Sequence, residues 1–527
     1  MRQNRKFPYC LLVVFAIPLC FIGFIVKRYG VHLVDDGYYY LQIAYHLAQG
    51  NGFTFDGIHQ TNGFQPLWQI VLIPFFWLFD KSTMPYVVTA VQSLLFLGSG
   101  LFLFLTLHKW LKNSLSCIGT FVWLANIWVI SKGAVTGMET ALVLFLMGLF
   151  YYLLPGILDK QRYYTAGLVL TLLLMARLDM IFLTVAVFVI IFFYGDDKKK
   201  MLIAVSIPVG FLILYLIVNS IHTGMPSPVS GLLKTHYGKA LLLQMVEGKN
   251  IDFVHHFVFN LKEFITLGRF PLPVSAIGLS GFILFIFFAI PRVTKAVSVI
   301  TLVHLLFSVM LFTFYFALYE NILTPYKYYW LPVLYGFVFL ALLLSSALST
   351  GWLRVGIFLS LALFTLIFSI AYYTDLLASV FYTIPDHRSP RYKVVQYINK
   401  NIPQDAILGS WDAGYLGYYC RQYVINLDGY VNDKRLYKHI IDDRLYEYIE
   451  KEEIGYLVNK DCHGYKHRFI LDHIEDWKRL HVESLSLKGI QQKTAFTINP
   501  NVLEAAQYDT LEYYIYMKKS KPANKDN

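Results

Sequence analysis

Two carboxylates stand side by side in Asp35-Asp36-Gly37-Tyr38-Tyr39-Tyr40, a polar run that follows the first long apolar stretch of the chain. Adjacent carboxylates at a membrane face repel each other and lose solvation, which tends to raise one pKa. A carboxylate tuned in this way can act as a base toward a hydroxyl held within hydrogen-bonding reach. The pair also has a plainer use, with Asp35 capping the helix that starts there and Asp36 facing water. Physical chemistry alone leaves both uses open. No HExxH, CxxC pair or Asp-x-Asp loop dyad marks a metal site, although the Asp35-Asp36 pair can bind a divalent ion weakly. Walker A and GxGxxG patterns are also missing, which argues against ATP-driven transport and nucleotide-sugar chemistry on a Rossmann fold.

The elements that would hold the pair can be read on either side of it. Leu41–Ala48 is amphipathic and suits a helix lying along the interface. Gly50-Asn51-Gly52 and Asp56-Gly57 supply turns, and the loop ends Thr61-Asn62-Gly63-Phe64-Gln65-Pro66-Leu67-Trp68. Beyond the loop the composition is that of a membrane protein. Of 527 residues 56% are hydrophobic and 15% charged, against about 25% charged in soluble domains. Runs of about 18 apolar residues can cross a bilayer as helices. Phe7–Val26, Tyr86–Leu107, Gly137–Leu154, Met201–Val218, Leu272–Ile290, Val297–Leu318, Tyr328–Leu348 and Trp352–Tyr372 reach that length. Leu115–Ile130, Tyr163–Ala176 and Met180–Tyr194 are shorter candidates, and Leu67–Phe79 reads as re-entrant or interfacial. Tyr and Trp cluster at the edges of these runs, as interfacial rings do.

The net charge of +11 does not indicate a nucleic-acid partner, because the basic residues sit in short breaks between spans. Lys and Arg favour the cytoplasmic side. Arg2–Lys6, His108–Lys112, Asp159–Arg162, Asp196–Lys200, Pro291–Lys295 and Arg354 are therefore placed inside. That puts the N-terminus in the cytoplasm, behind an uncleaved anchor, and residues 31–66, 219–271 and everything after Tyr373 outside. The expected fold is an α-helical polytopic membrane protein of about 11–13 transmembrane helices with a C-terminal soluble α/β domain. Its parts are a membrane domain at 1–375 with outer loops at 28–66 and 219–271, an α/β domain at 376–517 and a disordered basic tail at 518–527. In the α/β domain Arg391–Lys400, Lys434–Glu450 and Arg468–Leu480 read as helices. Ala406–Ser410, Tyr423–Leu427 and Gly455–Asn459 read as strands. Cys10, Cys20 and Cys117 read as apolar filler, while Cys420 and Cys462 can pair in an oxidising compartment or remain thiols.

The loop motifs carry a resemblance. Asp-Asp-Gly-Tyr-Tyr-Tyr-Leu, Gly-Asn-Gly-Phe-Thr-Phe-Asp-Gly and Thr-Asn-Gly-Phe-Gln-Pro-Leu-Trp resemble the first outer loop of bacterial GT-C glycosyltransferases. The closer likeness is to polytopic sugar transferases related to the arabinofuranosyltransferase and mannosyltransferase groups. The likeness continues through Thr136-Gly137-Met138-Glu139-Thr140, Ala176-Arg177-Leu178-Asp179, and Gly224–Gly231 with Lys234. It ends in Gly409–Gly414 and Asn426–Asn432. Gln65 departs from it, standing where the pattern has His; a charge or proton that His supplies in relatives is missing here.

The resemblance implies transfer of a sugar from a polyprenyl-phosphate carrier to a glycan, lipid or protein acceptor on the outer face of a bacterial inner membrane, with inversion. It makes Asp35 the base, with Asp36 supporting or substituting, and it implies no required metal and no cofactor. Such a site needs cations or donors for the phosphate, and Lys234, Lys327, Arg177 and His222 are the candidates. Interfacial snorkelling is the plainer explanation of either lysine, and Arg177 can instead pair with Asp179. Tyr38, His59, Asn62, Gln65 and Glu139 are candidates for sugar or acceptor contacts. A transporter or flippase of lipid-linked glycan, or a non-catalytic receptor, remains as an alternative. Transport is disfavoured because polar residues gather in outer loops rather than at mid-membrane, and no internal repeat is evident.

Overall fold

Apolar length builds the first part of the chain. In the computed structural model, residues 7–519 are described apart from 249–251, 266–279, 319–329, 346–350, 370–388, 461–476 and 487–509. A few further positions, at 32, 112, 160–161, 195–196 and between 281 and 368, are also left out. The helices of the membrane part are α1 (Phe7–Tyr29), α2 (Asp35–Ala48), α3 (Pro66–Leu72), α4 (Met84–Leu107), α5 (Asn113–Leu124) and α6 (Ile127–Val129). They continue with α7 (Thr140–Asp159), α8 (Tyr163–Ala176), α9 (Ile181–Tyr194) and α10 (Lys198–Thr223). Then come α11 (Val229–Val246), α12 (Asp252–Ile265), α13 (Lys295–Leu318) and α14 (Leu331–Leu344). Among the described residues, the helices at Met84–Leu107, Thr140–Leu158, Lys198–Thr223 and Lys295–Leu318 are long and apolar enough to cross a membrane.

Two stretches show why local residues override an apolar run. Leu115–Ile130 is not one straight helix: Asn113–Leu124 and Ile127–Ala134 meet at 53°. Asn126 makes the break, because its side chain accepts the Val129 N–H at 3.2 Å and starts a new helix there. Leu67–Phe79 is the short α3 continued by a 3-10 turn, Ile73–Trp77, rather than one continuous helix. The expected span Leu272–Ile290 and the end of the last one, at Trp352–Tyr372, lie largely outside the described residues. Polar groups inside the bundle pair with one another; the Tyr151 hydroxyl lies 2.8 Å from His304 Nδ1, and Tyr335 donates to the Ser99 carbonyl at 3.1 Å.

The C-terminal part comprises α15 (Pro390–Asn401), α16 (Gly414–Tyr419), α17 (Lys434–Ile441), α18 (Leu445–Lys451) and a five-stranded sheet of order β2-β1-β3-β5-β4. The strands are β1 (Ile407–Ser410), β2 (Tyr423–Asn426), β3 (Tyr456–Lys460), β4 (Trp477–Ser486) and β5 (Thr510–Lys518). β1 pairs in parallel with β2 and β3, while β5 lies antiparallel to β3 and β4.

Three expectations change here. The helix expected over Lys434–Glu450 is two, because Asp443 has φ 55° and turns the chain. The helix expected over Arg468–Leu480 gives way to strand from Trp477 onward, where pairing with β5 decides the conformation; 468–476 lie outside the described residues. Lys518, assigned to the basic tail, is the last residue of β5 and pairs opposite Trp477. Cys420 is half-buried, and Cys462 lies outside the described residues.

Candidate active site

Backbone contact between glycines brings distant motifs together. Val34 donates its N–H to the Thr136 carbonyl at 3.0 Å. A Cβ on Gly37 would stand 2.4 Å from that same oxygen. Gly137 lies against Gly37 and has φ +82°, which a side chain resists. Gln92, buried in α4, pins the junction. Its Nε2 donates to the Met138 carbonyl at 2.5 Å while its Oε1 accepts the Gly137 N–H at 2.8 Å. Trp68 adds a donation to the Gly137 carbonyl at 2.9 Å. Asp35-Asp36-Gly37 and Thr136–Glu139 thus form one local structure.

A cavity of about 320 Å³ opens beside it. Its charged lining is Asp36, Glu139, Arg177, Asp179 and Lys234. Ile181, Phe182 and Phe314 give it an apolar side, and Tyr430 and Val431 reach it from the C-terminal domain. Glu139 is buried and accepts the Tyr40 hydroxyl at 2.9 Å. Gln65 Oε1 accepts the Leu178 N–H at 3.2 Å. Arg177, also buried, binds Asp179 through Nε at 2.8 Å and again through Nη2, and Tyr315 donates to Asp179 at 2.8 Å. Lys234 Nζ sits 4.9 Å from the centroid of the Tyr430 ring. Asp36 is half-exposed on this wall, and its carboxylate accepts no hydrogen bond among the described residues.

Asp35 points the other way, into the C-terminal domain. Its two carboxylate oxygens accept the Gly414 N–H at 2.8 Å and the Tyr415 N–H at 3.0 Å, with Arg391 at 3.6 Å. Burial pushes its carboxyl up; Arg391 opposes this, Asp412 adds to it, the two N–H groups oppose it, and the result is about 6. A Cβ on Gly414 would lie 2.1 Å from the Asp35 carbonyl, so only glycine admits this approach. Next to it the Tyr39 hydroxyl accepts the Ala413 N–H at 3.2 Å and the Asn426 amide at 2.9 Å. Gly63 makes a similar contact, since a Cβ there would stand 1.9 Å from the Tyr430 carbonyl.

A search of curated protein sequences finds no match to the chain. Residues 382–511 match a family described as a domain of unknown function, DUF8728. Among solved structures, the chain is similar to the Archaeoglobus fulgidus oligosaccharyltransferase in its apo form. The identity is 12% and the TM-score 0.51, over 86% of this chain and 70% of that one. It is similar also to ArnT from Cupriavidus metallidurans bound to undecaprenyl phosphate. Here the identity is 12% and the TM-score 0.50, over 90% of this chain and 95% of that one. The chain has the GT-C membrane fold.

Within this GT-C fold the residues singled out in the sequence divide into two groups. Asp36, Gln65, Glu139, Arg177 and Lys234 meet at the cavity. Asp35, Tyr38, His59, Asn62 and His222 do not line it. Tyr38 is buried among Tyr415, Tyr418 and Tyr419, with ring centroids 5.2, 5.5 and 5.7 Å away. Asn62 spends its amide on the chain, donating to the Met225 and Ser227 carbonyls at 3.1 and 3.0 Å and accepting the Val229 N–H at 2.9 Å. His59 is buried 2.6 Å from Asp56 and 3.3 Å from Glu452. Burial pushes its imidazole down, but the Asp56 hydrogen bond and charge, with Asp433 and Glu452, outweigh that and hold it above its ordinary value. His222 is exposed, and Lys327 lies outside the described residues.

The sequence reading missed Gln92, Tyr40, Tyr315 and Tyr430. For Gln92 a signal existed, because a lone amide inside an apolar span is costly unless it has partners. Tyr430 lies in the Asn426–Asn432 motif but had no role assigned, and Tyr315 offered no signal, because tyrosine is common throughout this chain.

Proposed function

We propose that the chain transfers a sugar from a polyprenyl-phosphate carrier to an acceptor hydroxyl, with Asp36 as the general base. The observation that carries this reading is the cavity that gathers Asp36, Glu139, Arg177 and Lys234 beside apolar Phe182 and Phe314. A carrier lipid must keep its tail in hydrocarbon while its phosphate reaches polar ground, and a site with one apolar and one charged side meets both needs. Asp36 takes the part expected of Asp35 because its oxygens are open to the cavity, whereas those of Asp35 already accept two N–H groups.

In this mechanism Asp36 removes the acceptor's proton while the acceptor oxygen bonds to the anomeric carbon. The bond from that carbon to the phosphate oxygen breaks on the opposite face, and polyprenyl phosphate leaves as an anion. Phosphate needs no proton to leave, so one carboxylate suffices. Lys234 is the cation we assign to the departing phosphate. Arg177, already paired with Asp179, shapes the wall beside Glu139. The liganded relative, ArnT bound to undecaprenyl phosphate, supports a carrier of this chemical class.

The test incubates purified full-length protein with a panel of polyprenyl-phosphate sugars and compares wild type with Asp36→Asn. Transfer by wild type and its loss in the variant is the expected result. Undiminished transfer by Asp36→Asn would remove Asp36 as the base.

A further inference from the structure

Resting on the transferase reading above, a second role emerges at the same helix turn. We propose that Asp35 is a positioning residue: its carboxylate holds the Gly414–Tyr415 turn of the C-terminal domain and thereby sets how Asp36 enters the cavity. Transfer then depends on how that domain is seated.

The geometry supports each link. Asp35 and Asp36 share the first turn of α2, and successive helix positions point about 100° apart. A turn whose one side is held by the domain therefore has its other side directed as well. The hold has several independent contacts. Two N–H groups at the start of α16 bind the Asp35 carboxylate, and the Tyr39 hydroxyl accepts from Ala413 beside that turn and from Asn426 at the end of β2. Gly414 allows backbone approach where a Cβ would collide. The domain also reaches the cavity itself through Tyr430 and Val431, so its seating and the wall of the site move together.

The groups facing Asp35 are Arg391 at the start of α15 and Asp412 between β1 and α16, with Asp428 accepting the Asp412 N–H at 2.7 Å. Asp36 and Tyr39 lie on its own helix. With a carboxyl at about 6 against an ordinary 3.8, the folded chain binds this proton more tightly than the unfolded one. Its contribution to stability therefore grows as pH falls between those values. The charge that the two N–H groups hold is lost over the same window. Activity and stability thus respond to acid in opposite directions, which a purely structural residue would not produce.

The experiment uses the purified full chain and the donor that wild type accepts. Asp35→Asn should speed amide exchange in residues 411–419, and Asp36→Asn should not. It should also lower kcat about tenfold or more, since a displacement of 1 Å can cost roughly 10²-fold, while leaving the donor KM within about twofold. The fall of wild-type kcat near pH 6 should disappear in Asp35→Asn and persist in Asp35→Glu. Gly414→Ala, which perturbs the same turn from the other side, should reproduce the kcat loss. Unchanged exchange with a loss of about 10²–10⁴-fold in Asp35→Asn, and full activity in Asp36→Asn, would make Asp35 the base and overturn the proposal. So would a shifted Tm with unchanged kcat and pH profile. If wild type transfers no sugar at all, the transferase reading fails and the positioning role falls with it; an active wild type separates the two failures.

Discussion

The loop from Asp35 to Gln65 serves two regions of the molecule, and they treat its polar residues differently. Toward the C-terminal domain and α11, Asp35 and Asn62 have their oxygens and nitrogens engaged by N–H groups and carbonyls, and His59 lies between the Asp56 and Glu452 carboxylates. Among the described residues, Asp36 accepts no hydrogen bond toward the cavity and Lys234 meets only the face of the Tyr430 ring. A buried polar group without a partner is expensive, so a junction tends to consume hydrogen-bonding capacity while a binding site keeps it in reserve. Both sets are polar, so residue type alone does not tell them apart. Satisfaction separates Asp36 and Lys234 from the junction set, while Gln65, Glu139 and Arg177 on the cavity wall have partners of their own.

The contrast can be broken by substitution, and the largest effect should fall on the cavity side. Asp36→Asn should lower kcat/KM for sugar transfer by about 10²–10⁴-fold with little change in Tm, measured on the same preparation. Lys234→Met should raise the donor KM about tenfold or more, the value of a charge-assisted hydrogen bond to phosphate, and leave kcat for bound donor nearly unchanged.

On the junction side the effects should be on stability instead. Asn62→Ala strands the Val229 N–H and two carbonyls, and should cost about 1–3 kcal/mol in unfolding. A KM change without a Tm change in that variant would mean that Asn62 touches substrate after all. His59 sharpens the comparison through pH. Its folded pKa lies above the unfolded value, so its contribution is fully present below about 6.5 and is lost as pH rises through the folded value. The Tm gap between wild type and His59→Gln should therefore be widest in mild acid and narrow as pH rises. His222→Ala, at an exposed position that does not line the cavity, should change neither Tm nor transfer.

Much of this molecule could be read from residues alone, and the boundary of what could be read is physical. Membrane-crossing helices follow from the summed apolarity of local runs, so α4, α7, α10 and α13 appear in the sequence with little displacement. Glycine motifs such as Asp36-Gly37, Asn62-Gly63 and Ala413-Gly414 mark backbone approach, although their partners cannot be named without the fold. The start of β4, Trp477–Leu480, reads as the end of a helix in the sequence because its strand conformation comes from pairing with β5, far along the chain.

By itself, then, the sequence determined a membrane-embedded chain with acidic and glycine-rich loops, because hydrophobic transfer and turn preferences are local properties. Which of two neighbouring aspartates faces the cavity was decided only by the tertiary structure. A helix sends adjacent side chains in different directions, and the docking of Gly414 and Tyr415 determines which direction is already taken.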